Sequence, residues 1–148
     1  MDKIIFETKM GHMKITSEHG YLKTVDLTNE PLFDTNVAVL IAAKAQMLSY
    51  FQTETHFDLP LNPKGTPFQQ TVYQALLKIP YGKTASYGDI AAMIGKPKAA
   101  RAVGQAVNKN PLMIIIPCHR IIGKDGSLTG FYGGLALKEA LLKNEGIL

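Results

Sequence analysis

In the first thirty positions apolar and polar residues alternate with the two-residue period of β-strands. Runs at 4–8, 12–16 and 21–27 predict three strands, interrupted by Gly11 and by His19-Gly20. The period then lengthens. Asn36 stands as a cap before a stretch rich in Ala, Leu and Met, which predicts a helix over 37–51. Leu59-Pro60-Leu61-Asn62-Pro63-Lys64-Gly65 is punctuated by proline and glycine and reads as a connector. It divides the chain into a small α/β lobe, 1–62, and a second unit, 63–148.

Beyond the connector the pattern is mostly helical. Thr66 is an N-cap and Pro67 the first helical residue of a helix over 67–78, with Phe68, Val72, Tyr73, Leu76 and Leu77 on one face. Ile79-Pro80-Tyr81-Gly82 ends it. Ser86 caps a short helix over 87–94, stopped by Gly95. A further helix over 97–107 ends near Asn108-Lys109-Asn110-Pro111. Two short helices joined by a glycine-containing turn predict a helix-turn-helix. The run 113–116 reads as a buried strand, Gly126 and Gly130 as a hairpin or loop, and Gly133-Gly134 as the lead into a last helix over 135–144.

With 46% hydrophobic and 19% charged residues among 148, the chain can bury a core. No run reaches the roughly 18 apolar residues of a membrane span, and residues 1–6 are too short and mixed for a signal peptide, so no membrane association is expected. The histidines (12, 19, 56 and 119) are scattered, and neither a metal site nor a cofactor is expected. Charge is uneven. Residues 1–64 carry six lysines against eight acids, a net −2; residues 65–148 carry ten basic residues against four acids, a net +6. This is either a solubility bias or a face for a polyanion such as nucleic acid.

The single cysteine, Cys118, fits a reducing, cytoplasmic compartment and lies in Pro117-Cys118-His119-Arg120. A thiol reacts as its thiolate and needs a base or a positive charge nearby. His119 is adjacent, but neighbours on a strand point to opposite faces, so a Cys–His contact needs a turn or a bridging water. Glu145 is a candidate to orient the imidazole. The dipeptide alone favours an inert buried cysteine beside an unrelated histidine. The helix over 97–107 is nearly smooth, with Ala99, Ala100, Ala102, Gly104 and Ala106, and Ala99, Ala102 and Ala106 share a face. Such a helix approaches either another helix or a nucleic-acid groove closely. Lys96, Lys98 and Lys109 flank it and suit phosphates. Arg101 and Gln105 project together, and few other side chains could read bases. Asn110 is either a turn residue or a support for the segment leading to Cys118.

Taken in order, Thr66-Pro67-Phe68-Gln69, Ile90-Ala91, Lys98-Ala99-Ala100-Arg101-Ala102-Val103-Gly104, Asn110-Pro111, Ile116-Pro117-Cys118-His119-Arg120-Ile121-Ile122-Gly123, Gly133-Gly134-Leu135, Lys138 and Glu145-Gly146 resemble the O6-alkylguanine-DNA alkyltransferases. The match covers about residues 65–148; residues 1–64 fit the family's variable N-terminal lobe by position. The resemblance implies an α/β protein: a ribonuclease-H-like sheet, then a mostly helical, winged-helix-like domain carrying the helix-turn-helix. It implies binding of duplex DNA through the minor groove as a monomer, with copies able to line up on DNA, and flipping of the damaged base. Cys118 would accept the alkyl group from O6-alkylguanine or O4-alkylthymine once and irreversibly, with no cofactor. His119 would act as base through water, Glu145 would pair with it, and Asn110 would orient the active-site turn. Arg101 would fill the space of the flipped base, and Tyr87 would crowd its phosphate and contact the base. Ala99, Ala100, Ala102 and Gly104 would let the helix approach the DNA. Family zinc ligands in the N-terminal lobe include cysteines that this chain lacks.

One departure stands out. Before Gly133-Gly134 the family has Tyr and a small residue, whereas this chain has Phe131-Tyr132. That pair belongs to the guanine-pocket loop, so the change bears on which alkyl groups are accepted. Two other readings stand beside repair. A lesion-binding or regulatory relative without transfer would lack the cysteine. A cysteine hydrolase would need an oxyanion site, and no separate motif signals one.

Overall fold

The computed structural model describes residues 1–148, which divide into two compact units, Met1–Lys64 and Gly65–Leu148. In the first, β1 (Asp2–Thr8), β2 (Gly11–Glu18) and β3 (Tyr21–Leu27) form an antiparallel meander in that order. The β2–β3 turn is His19-Gly20, both with positive φ, as the tight hairpin turns that match strand twist require. Alternate residues Met13, Ile15 and Ser17 of β2 are buried, and α1 (Ala38–Tyr50) lies on the sheet. Its Leu40, Ala43, Met47 and Tyr50 recur at helical spacing and are all buried. Single bridges cover both sheet edges: Phe33 pairs with Ile5 on β1, and the Pro60–Asn62 segment pairs with Leu22 on β3. Asn36 does not cap α1. The N-cap is Val37, whose N–H is bonded to the Thr35 hydroxyl at 3.2 Å.

In the second unit, α2 (Pro67–Leu76) opens with a capping box in which Thr66 and Gln69 satisfy each other's backbone N–H groups. It is shorter than expected, and Leu77 is 40% exposed rather than on the core face. The strand pair β4 (Ala85–Ser86) and β5 (Ile121–Ile122) is parallel. Ser86 and Asp89 form a second capping box at the start of α3 (Tyr87–Met93), and Gly95 at φ +75° ends that segment. α4 spans Ala100–Val107, not 97–107, because residues 96–99 form a turn closed by Ala99 N–H to Lys96 O at 2.9 Å. Its buried residues are Val103, Ala106 and Val107. Ala102 is exposed, so Ala99, Ala102 and Ala106 do not form one packed face. α3 packs on α4, and α4 on α2. α5 (Leu135–Asn144) closes the unit. The architecture is a small antiparallel sheet with five helices, a mixed α/β fold, and no helix is long and apolar enough to cross a membrane.

The segment 113–116 is buried as expected, but it is not a strand. It folds back on itself: Ile116 N–H bonds to Leu112 O at 2.9 Å, Met113 bridges Ile116, and Ile114 takes φ +74°. A β-branched residue in the left-handed region is strained, by about 1–3 kcal/mol, and persists only where its surroundings impose it.

Candidate active site

Asn110 imposes that turn. Its Nδ2 donates to Ile116 O at 2.8 Å, and its Oδ1 accepts from Leu112 N–H at 3.0 Å. The side chain thus spans the loop and delivers the chain into Pro117. Cys118–Arg120 is a single turn of 3-10 helix, closed by Arg120 N–H to Pro117 O. Successive residues there are about 120° apart rather than opposed as on a strand, so Cys118 and His119 need not point to opposite sides.

Both are enclosed. Cys118 is 2% exposed and His119 is fully buried. His119 Nε2 lies 2.6 Å from Glu145 Oε2, where Glu145 caps the end of α5. Arg120 grips the same carboxylate: its Nε donates to Oε1 at 2.9 Å and its Nη2 to Oε2 at 3.1 Å, while Nη1 donates to Ile79 O at 2.7 Å. Gly82 N–H adds a bond to Oε1 at 3.0 Å. Burial works to raise the Glu145 pKa, but the hydrogen bonds from His119 and Arg120 outweigh it and hold the carboxyl at about 2. Burial lowers His119 below the ordinary histidine range, against the pull of Glu145. The pair is therefore an ionised carboxylate and a neutral imidazole. Nε2–H donates to Glu145, which makes Nδ1 the proton acceptor.

The thiol departs from the simple expectation of an activated thiolate. Burial pushes Cys118 up to about 11, while the Asn110 side chain and the Lys138 charge pull the other way. The enclosed sulfur rests as S–H, and a base must take its proton when it reacts. Lys138 is 0% exposed; its Nζ donates to the carbonyls of Ile121 and, at 3.1 Å, Thr129. Arg120 and Lys138 are functional neighbours that the motif reading named without a role. Lys138 sits among the buried Leu137, Leu141 and Leu142 of α5, and a lysine inside an apolar face is the signal that could have marked it.

The remaining candidates lie around α3 and α4. Tyr87 starts α3, and its hydroxyl is 2.6 Å from that of Thr129. Gly104 faces the Tyr87 ring: a Cβ there would meet Cδ1 at 3.5 Å. Gly104 thus belongs to the contact between α3 and α4 rather than to the outer helix surface. Arg101 and Ala102 are exposed, while Ala99 and Ala100 are half-buried at the start of α4. Phe131 is buried, but Tyr132 is 66% exposed, so its bulk projects outward. A Cβ on Gly133 would come within 2.6 Å of Leu137 Cδ2, so that side chain would have to shift to admit one.

Comparison with known proteins fits this arrangement. The family model described as 6-O-methylguanine DNA methyltransferase, DNA binding domain, matches residues 67–147. The methylated-DNA–protein-cysteine methyltransferase of Methanosarcina acetivorans is 45% identical over 96% of both chains. The constitutive methylated-DNA–protein-cysteine methyltransferase of Bacillus subtilis is 46% identical over 93% of this chain and 90% of its own. The crystal structure of Mycobacterium tuberculosis OGT in complex with DNA superposes with a TM-score of 0.87 and 40% identity, covering 97% of this chain and 92% of that one. The buried thiol, its histidine–carboxylate pair and these matches over nearly the full length lead to one conclusion: the chain belongs to the O6-methylguanine-DNA methyltransferase family.

Proposed function

We propose that this chain repairs double-stranded DNA by moving the alkyl group of O6-alkylguanine, and of O4-alkylthymine, onto Cys118. The activity is that of a methylated-DNA–protein-cysteine methyltransferase, the name carried by relatives matched over nearly the whole chain. The chain binds DNA, as its DNA-binding-domain match and its likeness to a protein solved on DNA support. The observation that carries the reading is the neutral His119, bonded to an ionised Glu145 at 2.6 Å, beside the chain's only thiol.

At pH 7 a thiol with a pKa near 11 is ionised in only about one molecule in ten thousand. Proton removal must therefore accompany reaction. The Cys118 proton passes through a water to His119 Nδ1, and Glu145 stabilises the imidazolium formed. The sulfur attacks the alkyl carbon, an S–C bond forms and the C–O6 bond breaks. The electron pair stays on the guanine oxygen, and the proton returns to guanine. His119 is restored and the sulfur is not, so each molecule acts once.

The target atom is inaccessible inside a base stack, so the nucleotide must be flipped out. The helix-turn-helix enters the minor groove through Ala99, Ala100 and Ala102, and Arg101 occupies the space of the flipped base. Tyr87 crowds the flipped phosphate and contacts the base, and Phe131 and Tyr132 border the base. The net +6 of residues 65–148 suits phosphates. The protein acts as a monomer, with copies able to align on DNA, in the cytoplasm.

Incubation with duplex DNA carrying O6-methylguanine should add one CH2 to the Cys118 peptide by mass spectrometry. Cys118→Ala should abolish the adduct and retain DNA affinity. Lesion binding by the native chain without any adduct would overturn transfer in favour of a lesion-binding protein.

A further inference from the structure

The loop between β5 and α5 is fastened unevenly. Its first half is a self-contained turn, with Gly123 N–H to Ser127 O and Gly126 N–H to Gly123 O, both at 2.8 Å, and Ser127 N–H to Asp125 Oδ1 at 3.0 Å. These bonds hold the turn's shape without tying it to anything else. The second half is tied at Thr129, which has two partners on two different helices. Its carbonyl accepts from Lys138 on α5, and its hydroxyl meets the Tyr87 hydroxyl on α3. Lys138 in turn bonds to Ile121 O, next to the Cys118–Arg120 turn.

Thr129 therefore joins the first residue of the helix-turn-helix to the buried lysine beside the thiol. The Tyr87–Thr129 contact is a hydroxyl pair, and this matters chemically. A phenol that accepts from Thr129 keeps its own proton to offer a purine acceptor; one that donates to Thr129 offers a lone pair. Either way the bond fixes the phenol oxygen's position and decides what it presents outward. The ring lies against Gly104, where a Cβ would meet Cδ1 at 3.5 Å and Cε1 at 3.6 Å.

We infer that Thr129 is a positioning residue for the flipped nucleotide: its hydroxyl aims the Tyr87 phenol at the base, and its carbonyl anchors the pocket loop to Lys138. This rests on the alkyl-transfer reading. The relevant ligand chemistry is a purine's ring-nitrogen and oxygen acceptors.

The test is single-turnover transfer from duplex DNA carrying O6-methylguanine, followed as a function of DNA concentration. Thr129→Val keeps the shape and the carbonyl but removes the hydroxyl. One neutral hydrogen bond predicts a loss of about five- to tenfold in the saturating rate, with affinity for undamaged duplex unchanged. Thr129→Ser should restore the rate to within about twofold of native, as a restored hydroxyl predicts. Tyr87→Phe removes the same bond from the other side, and the double variant should be no slower than the slower single one. The non-additivity shows that both variants remove one and the same bond, and the loss of rate at unchanged affinity for undamaged duplex separates aiming from mere support of the fold. A Thr129→Val rate equal to native, multiplying effects in the double variant, or a failed rescue by serine would each overturn the inference while repair stands. A native chain that forms no adduct would instead overturn the repair reading itself.

Discussion

Removing Arg120 and Glu145 together should cost far less than the two single removals added together. Glu145 is buried with three charge-assisted or backbone partners besides His119: two from Arg120 and one from Gly82 N–H. Its drop from an ordinary 4.5 to about 2 corresponds to about 3 kcal/mol of preferential stabilisation of the carboxylate at neutral pH. Arg120→Met takes away the bidentate clamp and the bond to Ile79 O, and leaves a buried carboxylate that the solvent cannot reach. Breaking a buried pair from one side costs about 3–5 kcal/mol, which agrees with the figure from the carboxyl. Glu145→Gln strands the guanidinium and should cost a similar amount. The double variant removes both charges and should cost well under the sum of the two. The chain has no tryptophan and six tyrosines, so urea unfolding is best followed by far-ultraviolet circular dichroism with tyrosine fluorescence. A loss below about 1 kcal/mol for Arg120→Met, or a double variant equal to the sum, would refute the clamp.

Acid should weaken the fold in two stages. Burial lowers His119, so the unfolded chain takes up that proton first as pH falls below about 6.5; the Glu145 contribution is full above about 4.3 and lost as pH falls towards 2. Urea midpoints from pH 8 to 3 that stay flat would contradict both. Tyr73 is buried and its hydroxyl has no hydrogen-bond partner within the protein, so Tyr73→Phe should be neutral or stabilising by about 1 kcal/mol; a clear loss in thermal unfolding would mean that the hydroxyl is bonded. Iodoacetamide should label native Cys118 on the order of 300-fold more slowly at neutral pH than the urea-unfolded thiol, from a pKa near 11 against about 8.5; equal rates would mean an ionised, open sulfur. With Phe131-Tyr132 standing where the family has Tyr and a small residue, transfer from methyl, ethyl and benzyl adducts in duplex DNA should differ, and equal rates for all three would mean that the change does not bear on the accepted alkyl groups.

The parts of this protein that were legible in advance are those written in local chemistry. Thr66 and Ser86 announce their helices because a hydroxyl three residues before an amide-bearing side chain or carboxylate is a self-contained signal. His19-Gly20 breaks the strand pattern because glycine readily takes the positive φ that a tight turn requires. The run 113–116 reads as a strand but folds back on itself, because apolar residues do not say whether the chain goes straight or turns. The bend comes from Asn110, whose bonds reach Leu112 and Ile116. Asn36 failed as a cap because Val37 already had Thr35. Glu145 stands 26 residues beyond His119, a separation no local pattern bridges; from the residues it is only a candidate, and the family resemblance supplies the pairing. Thr129 had no such help, since its importance lies in bonds to two helices, one of them through Tyr87, 42 residues back along the chain.

The lone sulfur has a consequence outside the chemistry of any single encounter. With one cysteine per chain, and that one enclosed, the mass of the intact protein is a written record. A population of these molecules holds unmarked copies and marked ones, and each mark keeps the identity of the group it took. Repair capacity is then an inventory rather than a speed. It is drawn down lesion by lesion, replenished only by synthesis, and readable at any moment as the ratio of two peaks in a spectrum.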